Sequence, residues 1–218
     1  GEVTVTLHQG EPRYQLVPGR AWERIECTAQ TSEALAEAGV LIYGTLAQRT
    51  PEGFAGWRAA AAVAQSTCLR VCDVNLRPAD RAAPPLAVIG EALEAADLIK
   101  INDTEVELLR TWLGWADPVA TLRARRNRVV VVTHGAAGST LHGEHGAIEI
   151  AGVRAATGGD NVGCGDAYLA ILVHGMTLGW DLETSATAAT RWAAAVAGAR
   201  GATPTFSDEQ IAALLEVA

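Results

Sequence analysis

Four consecutive valines at residues 129–132 constrain the fold of this chain more than any other stretch. A strand with one face in water alternates apolar and polar residues, whereas this run is β-branched at every position. Such a run requires burial on both faces, which strands of a parallel sheet receive. Strand-like and helix-like segments alternate along most of the chain. We therefore predict an α/β protein with a largely parallel central sheet.

The predicted elements are short and separated by glycine or polar residues. Predicted strands cover residues 3–7, 13–17, 40–43, 69–75, 98–101 and 129–132, and a hairpin joins 139–142 to 147–150. Predicted helices cover residues 21–38, 51–66, 86–95, a segment that Asn102 starts, 119–126, 166–178, 182–199 and 208–217. Asn102 with Glu105, and Ser207 with Gln210, have the spacing of a capping box.

Composition excludes several classes of function. The chain has 218 residues, 49% of them hydrophobic, which is enough for one sizeable domain with a core. The net charge of −8 disfavours a nucleic-acid partner. No apolar run is long enough to span a bilayer, so we expect a cytoplasmic protein with no membrane partner. Lys100 is the only lysine, and no Gly-Lys-Ser/Thr occurs, which excludes a Walker A phosphate loop.

The four cysteines show no paired metal-binding spacing; they are Cys27, Cys68, Cys72 and Cys164. Cys68 and Cys72 fall in or beside an apolar strand. We predict that both are reduced core residues rather than the halves of a disulfide.

A glycine-rich turn precedes the predicted helix at 166–178. Gly163 and Gly165 bracket Cys164, and Asp166 follows at once. Backbone N–H groups at the start of a helix attract an anion, most simply a phosphate. A carboxylate would repel that anion, so Asp166 needs another role, such as accepting the proton of an attacking hydroxyl. A plain glycine turn with Asp166 as N-cap explains this stretch equally well.

Polar residues also follow several predicted strands at their carboxyl ends, where ligands bind in open parallel sheets. They are Gly44 with Thr45, Asp73 with Asn75, Asn102, and Thr133 with Gly135. Asp73, Asn75 and Arg77 are spaced by two, so they share one face if the strand continues that far. That set could hold a sugar hydroxyl or clamp a phosphate through Arg77. The alternative is a buried network of turn residues.

Residues 160–168 resemble the C-terminal signature of the ribokinase-like (pfkB) sugar kinases, Asp-Thr-x-Gly-Ala-Gly-Asp-Ala-Phe. The resemblance implies a three-layer ribokinase-like fold. It also implies that Asp166 is the catalytic base and that the amides of Gly163, Cys164 and Gly165 form an anion hole. The chain departs from the signature at Asn161 for Thr and at Cys164 for Ala. Gly158-Gly159 also replaces an apolar pair.

Three further stretches resemble motifs of that family in the family's order. Lys100 to Glu105 resembles Lys-x-Asn-x-x-Glu, which implies that Asn102 and Glu105 lie near the phosphates and organise water and Mg²⁺, with Glu105 towards the metal. We expect both to face outward, with capping alone as the alternative. Residues 133–138 resemble the Thr-x-Gly-x-x-Gly nucleotide loop, and residues 201–204 resemble the Gly-Ala-x-Pro that closes the adenine side. These matches imply nucleotide contacts from Thr133, Gly135, Gly138, Gly201 and Ala202.

Residues 43–49 and 73–78 resemble the corresponding stretches of fructokinases. The resemblance therefore implies ATP-dependent phosphorylation of a sugar hydroxyl, most simply of fructose, with Mg²⁺ and with Asp73, Asn75 and Arg77 at the sugar. Alternatives are a non-catalytic nucleotide-binding relative, an inactive fragment, or a kinase for another sugar such as ribose or 2-keto-3-deoxygluconate. We expect one kinase domain over residues 1–218 that lacks the N-terminal βα units and most of the lid, with 1–18 a lid remnant. The oligomeric state stays open, with a homodimer as one option.

Overall fold

A computed structural model describes residues 3–8, 11–17, 19–76, 86–124 and 129–216. The chain divides into two compact units. The first comprises residues 1–98 and 108–116, and the second comprises residues 99–107 and 117–218.

The first unit opens with an antiparallel hairpin. Strand β1 (Val3–His8) pairs with β2 (Glu11–Leu16), with Val3 opposite Leu16 and His8 opposite Glu11. These two strands agree with the strands predicted at residues 3–7 and 13–17.

A parallel pair of strands follows in the same unit. Strand β3 (Val40–Gly44) pairs with β4 (Leu69–Asp73) in register from Val40–Leu69 to Gly44–Asp73. The helices that begin in this unit are α1 (Ala29–Glu37), α2 (Pro51–Val63) and α3 (Leu86–Ala95). Pro51 occupies the first position of α2, where a missing N–H is harmless, and the Thr50 hydroxyl accepts the N–H of Gly53 at 3.1 Å. Cys68 and Cys72 are buried, and neither forms a disulfide within the described part of the chain, as predicted.

The helix predicted at 21–38 is wrong in its first half. Residues Ala21–Glu23 form a single 3₁₀ turn, and α1 starts only at Ala29 after Thr28, whose hydroxyl accepts the N–H of Thr31 at 3.2 Å. Between them the carbonyl of Ile25 lies against α2, so close that a Cβ on Gly56 would sit 1.9 Å from it. This packing against another helix overrides the local helical propensity.

The second unit carries strands in the order β5 (Leu98–Asn102), β6 (Val129–Thr133), β7 (Gly138–Gly143) and β8 (Gly146–Ala151), although Leu98 itself belongs to the first unit. The last three strands are antiparallel, which confirms the predicted hairpin. Val130 and Val131 are fully buried and Val132 is 5% exposed, as the valine run predicted. Helix α4 (Asp103–Leu113) follows β5 directly.

The described part of the second unit also contains the helices α5 (Pro118–Arg123), α6 (Cys164–Thr177), α7 (Leu182–Ala197) and α8 (Asp208–Leu215). The predicted capping box of α8 is present, with Ser207 and Gln210 each accepting the other's backbone N–H. Helices α6 and α7 approach closely at Gly175, where a Cβ would meet the Ser185 hydroxyl at 2.7 Å. Within the described ranges, no helix combines the length and the apolar character needed to cross a membrane.

Candidate functional site

The start of α6 is built by a glycine in the left-handed conformation. Gly163 is the N-cap residue with φ of 81°, and no side chain caps the helix. The first N–H groups of a helix have no partner within it, so those of this turn remain available to an external acceptor. Asp166 is the third residue of α6 and its side chain is exposed. The alternative in which Asp166 is the N-cap is therefore wrong.

Gly165 leaves room for the only lysine of the chain. A Cβ at Gly165 would lie 3.1 Å from the Lys100 ammonium nitrogen, and Lys100 is only 6% exposed. A buried ammonium therefore lies beside the first turn of α6. Both the ammonium and the helix N-terminus favour negative charge, so the local electrostatics suit an anion.

Asp160 ties the glycine turn to the segment after α7. One carboxylate oxygen accepts the N–H of Gly201 at 2.9 Å, and the other accepts the N–H of Val162 at 3.1 Å. These two hydrogen bonds, that of Gly201 foremost, hold the pKa of Asp160 below its usual value. On the same side, a Cβ at Gly163 would come within 2.7 Å of the carbonyl oxygen of Ala202. The predicted residues Gly163, Gly201 and Ala202 thus lie together.

Two departures from the family signature have a physical reason here. Asn161 has φ of 57°, a left-handed conformation that asparagine tolerates and β-branched threonine does not. Gly159 packs against the end of α7, where a Cβ would lie 1.8 Å from the carbonyl oxygen of Ala197. Gly158 has φ of 103°, which also favours glycine. The glycine pair therefore fits a close backbone crossing.

The predicted nucleotide loop at 133–138 is a closed turn between β6 and β7. The N–H of His134 donates to the carbonyl of Gly138 at 2.8 Å, and a 3₁₀ turn, Gly135–Ala137, lies between them. Gly138 has φ of 110°, and a Cβ there would lie 2.0 Å from the carbonyl of Ile150 in β8. The loop is therefore held both by its own closure and by contact with the next strand.

His134 anchors this loop to its surroundings. Its Nδ1 lies 2.8 Å from a carboxylate oxygen of Asp103, the first residue of α4, and its Nε2 lies 2.9 Å from the hydroxyl of Thr140 in β7. One ring thus connects the loop to helix α4, which begins within the Lys-x-Asn-x-x-Glu motif. Nothing in the sequence pattern marks the residue between Thr133 and Gly135 for this role.

A cavity of about 400 Å³ lies beside the loop and the start of α6. It brings together the predicted residues Thr133, Gly135, Gly138, Cys164 and Gly165. The rest of its wall is mostly small and apolar, from the 153–155 segment and from α7; it comprises Ala136, Val153, Ala155, Asn161, Tyr168, Thr190, Ala193, Ala194 and Ala197. A concave, mostly apolar pocket with a few polar groups is the usual form of a small-molecule site.

Asn102 and Glu105 form the reciprocal capping box of α4. The Asn102 side chain accepts the N–H of Glu105, and Glu105 accepts the N–H of Asn102, both at 2.9 Å. Glu105 is 2% exposed. The expectation that both side chains face outward is therefore wrong for Glu105, because its carboxylate turns back onto the backbone that it caps.

The residues expected at the sugar belong to the first unit. Strand β4 ends at Asp73, which is 6% exposed, and Asn75 has φ of 50°. The strand does not continue to residue 75, so the predicted alternation on one face is wrong, and Arg77 lies outside the described residues. The hydroxyl of Thr45 donates to the carbonyl of Val74 at 2.5 Å. Residues 43–49 and residues 73–76, the described part of the second fructokinase-like stretch, therefore lie side by side.

The chain is similar to solved kinase structures along most of its length. The match to a Burkholderia thailandensis nucleoside kinase in complex with inosine covers 88% of this chain and 59% of the kinase, with 25% identity and a TM-score of 0.66. The match to a Xylella fastidiosa fructokinase with bound ATP covers 92% of this chain and 68% of the fructokinase, with 19% identity and a TM-score of 0.79. The match to a Methanocaldococcus jannaschii nucleoside kinase of the ribokinase family covers 81% of this chain and 56% of that kinase, with 21% identity and a TM-score of 0.66.

These similarities confirm the predicted ribokinase-like α/β fold. The chain spans about three fifths of the length of the Burkholderia kinase. No curated protein sequence matches the chain. A family model for the pfkB family carbohydrate kinases matches residues 17–209, nearly the whole chain. With the glycine turn before α6, the turn at 133–138 and the fold in agreement with that match, the chain belongs to the pfkB family of carbohydrate kinases.

Proposed function

We propose that this chain belongs to a kinase that transfers the γ-phosphoryl group of ATP to a hydroxyl of a small polar substrate, most simply fructose. One observation carries the proposal. The N–H groups of Gly163, Cys164 and Gly165 lie at the start of helix α6, where no side chain caps them. The first turn of the same helix bears the exposed carboxylate of Asp166. Anion-binding amides and a proton acceptor in one helical turn are what transfer of a phosphoryl group to a hydroxyl requires.

Each part of the turn has a distinct role in this reaction. Asp166 accepts the proton of the substrate hydroxyl as the oxygen attacks the γ-phosphorus. A bond forms between that oxygen and phosphorus, the bond from phosphorus to the β–γ bridging oxygen breaks, and ADP leaves. The N–H groups of Gly163, Cys164 and Gly165 donate to the oxygens of the group in transfer, where negative charge develops.

The nucleotide is assigned to the cavity beside residues 133–138. Its volume of about 400 Å³ and its small apolar wall from α7 suit a flat heterocycle. Gly165 and Cys164 line the same cavity, so a nucleotide held there has its phosphate chain close to the start of α6. Gly201 and Ala202 do not line the cavity. Gly201 instead donates its N–H to Asp160, and Ala202 lies against Gly163 in the glycine turn.

Magnesium fits this site as an ion that arrives on ATP. Within the described part of the chain, no three His, Cys, Asp or Glu side chains are grouped to hold a metal. Mg²⁺ commonly keeps several waters and is bound through substrate phosphates with one or two carboxylates. Glu105 with Asn102 is proposed to support the ion through water rather than by direct contact, because the Glu105 carboxylate is buried and caps α4. The ion would neutralise phosphate charge when bound.

Fructose is proposed from the resemblance of residues 43–49 and 73–78, with Asp73, Asn75 and Arg77 at the sugar. The Burkholderia nucleoside kinase, 25% identical to this chain, is a structure in complex with inosine, which is a nucleoside. A nucleoside is therefore the second candidate substrate. Ribose, 2-keto-3-deoxygluconate and a non-catalytic nucleotide-binding role are the remaining alternatives.

Calorimetric titration of the 218-residue chain with a non-hydrolysable ATP analogue and Mg²⁺ tests the nucleotide assignment. We expect binding with one site per chain, and a thermal shift in parallel. A folded sample that shows neither heat of binding nor a shift in melting temperature at millimolar nucleotide would contradict the proposed function.

A coupled assay of ADP release on the complete gene product tests the substrate. The panel is fructose, ribose, 2-keto-3-deoxygluconate, adenosine and inosine, each with Mg²⁺ and ATP. We expect the highest kcat/KM with fructose. Inosine or adenosine clearly first would establish the nucleoside alternative, and ATP binding without turnover on any acceptor would support the non-catalytic one.

A further inference from the structure

Ser139 and Tyr168 form a hydrogen bond between two buried hydroxyls. Their oxygens are 2.8 Å apart, and the residues are 2% and 5% exposed. Burial raises the pKa of Tyr168 to about 12, although the bond to Ser139 acts in the opposite direction. The phenol therefore stays neutral at physiological pH and can donate or accept. Among the described residues each hydroxyl has the other as its hydrogen-bond partner. A buried hydroxyl that loses its partner keeps its desolvation cost, so each of these two residues depends on the other.

The two residues belong to the two halves of the candidate site. Ser139 directly follows Gly138, the last residue of the nucleotide loop, and it lies opposite Thr133 in the pairing of β6 with β7. Tyr168 lies in α6, two residues after Asp166, and lines the nucleotide cavity. The hydrogen bond is thus a direct connection between the loop and the helix that carries the proposed base.

The hydroxyl of Tyr168 is a feature of this chain beyond the family signature. That signature ends in Phe, whereas this chain has Tyr168 at the same position. Phenylalanine would supply the same ring without a hydrogen bond to Ser139. The polar link is therefore additional to whatever the ring alone contributes at this position.

We propose that Ser139 and Tyr168 are positioning residues that hold the nucleotide loop in register with the first turn of α6. The link sets the affinity for ATP and the placement of the γ-phosphoryl group relative to Asp166. This inference rests on the proposed function of the same site.

Four variants separate positioning from mere stability: Tyr168→Phe, Ser139→Ala, the double variant, and Ser185→Ala. Ser185 is fully buried between α6 and α7, and its hydroxyl has no hydrogen-bond partner among the described residues, so its removal is the matched control. Calorimetry and thermal melting of the 218-residue chain give Kd for ATP and Tm. The complete gene product gives KM for ATP and kcat.

We expect each single variant to raise Kd and KM for ATP about tenfold and to lower Tm, because one buried hydroxyl is left unpaired. The double variant should regain most of the lost Tm, since removal of both partners leaves no orphan, while Kd stays about tenfold raised rather than about a hundredfold. Ser185→Ala should keep the wild-type Kd.

Three results would overturn the inference while leaving the proposed function intact. They are an unchanged Kd in both single variants, a Kd that returns to wild type together with Tm in the double variant, and single effects that multiply in the double variant. A wild-type chain that does not bind ATP would instead overturn the proposed function itself.

Discussion

Asp160 accepts a hydrogen bond from the backbone N–H of Gly201 at 2.9 Å, across 41 positions of sequence. The bond joins the glycine turn before α6 to the segment after α7. Asp160 and Gly201 each belong to a stretch that resembles a motif of the family, residues 160–168 and 201–204, and these stretches are far apart in the sequence. The arrangement of the turn therefore depends on a carboxylate that is not itself part of the proposed chemistry.

Acid should loosen this connection. The hydrogen bonds from Gly201 and Val162 lower the pKa of Asp160 in the folded state, so the charged form is the one that is stabilised. Its contribution is fully present above the ordinary carboxyl pKa, about 3.9, and is lost as pH falls through the lower folded value. We expect the Tm difference between wild type and Asp160→Ala to be constant from pH 7 to 5 and to shrink below about pH 4. A difference that stays the same at pH 3 would contradict this account.

Gly163 should not tolerate a side chain. Its φ of 81° costs an alanine about 1–2 kcal/mol, and a Cβ would also lie 2.9 Å from the Cα of Ala202. Gly179 is the matched control, because its φ is 80° and a Cβ there meets nothing within 4 Å. Chemical denaturation should show a larger loss of unfolding free energy for Gly163→Ala than for Gly179→Ala. ATP affinity should fall only in the Gly163 variant, and equal behaviour of the two would count against the proposed role of this turn.

ATP should protect Cys164 from alkylation. The thiol lines the cavity that we propose for the nucleotide, and burial raises its pKa, so little thiolate is present at neutral pH. With Cys27 replaced by serine, iodoacetamide at pH 8 should label Cys164 more slowly than a free cysteine, and saturating ATP should slow the labelling further. Mass spectrometry of the labelled peptide measures both rates. An unchanged rate in ATP would place the nucleotide elsewhere.

Much of the fold could be predicted from the sequence because burial leaves a local pattern. The valine run of β6 reports the environment of its own strand, because Val130 and Val131 are fully buried there. The error at 21–38 arose where the environment is not local, since the carbonyl of Ile25 packs against Gly56, 31 positions later. Strand β4 was predicted too long because Asn75 adopts a left-handed conformation that no neighbouring residue signals.

In the candidate site, too, the locally determined features could be predicted from the sequence and the long-range contacts could not. Glycines mark the turns at 133–138 and 163–165, because positive φ and close backbone approach leave few other choices. The connections among those turns come from single polar residues whose partners are distant: Asp160 with Gly201, His134 with Asp103, and Ser139 with Tyr168. A polar residue in a loop has many possible partners, so its sequence position alone does not predict which one it finds.

The central claim is that Asp166 is the proton acceptor, and Asp166→Asn tests it most directly. The substitution keeps the shape of the side chain and removes its ability to take the proton. In the complete gene product, kcat should fall by roughly 10²–10⁴-fold, while Tm stays within experimental error and Kd for ATP is unchanged or tighter, because a negative charge has left the phosphate site. Turnover at the wild-type rate with asparagine at position 166 would contradict the proposed mechanism.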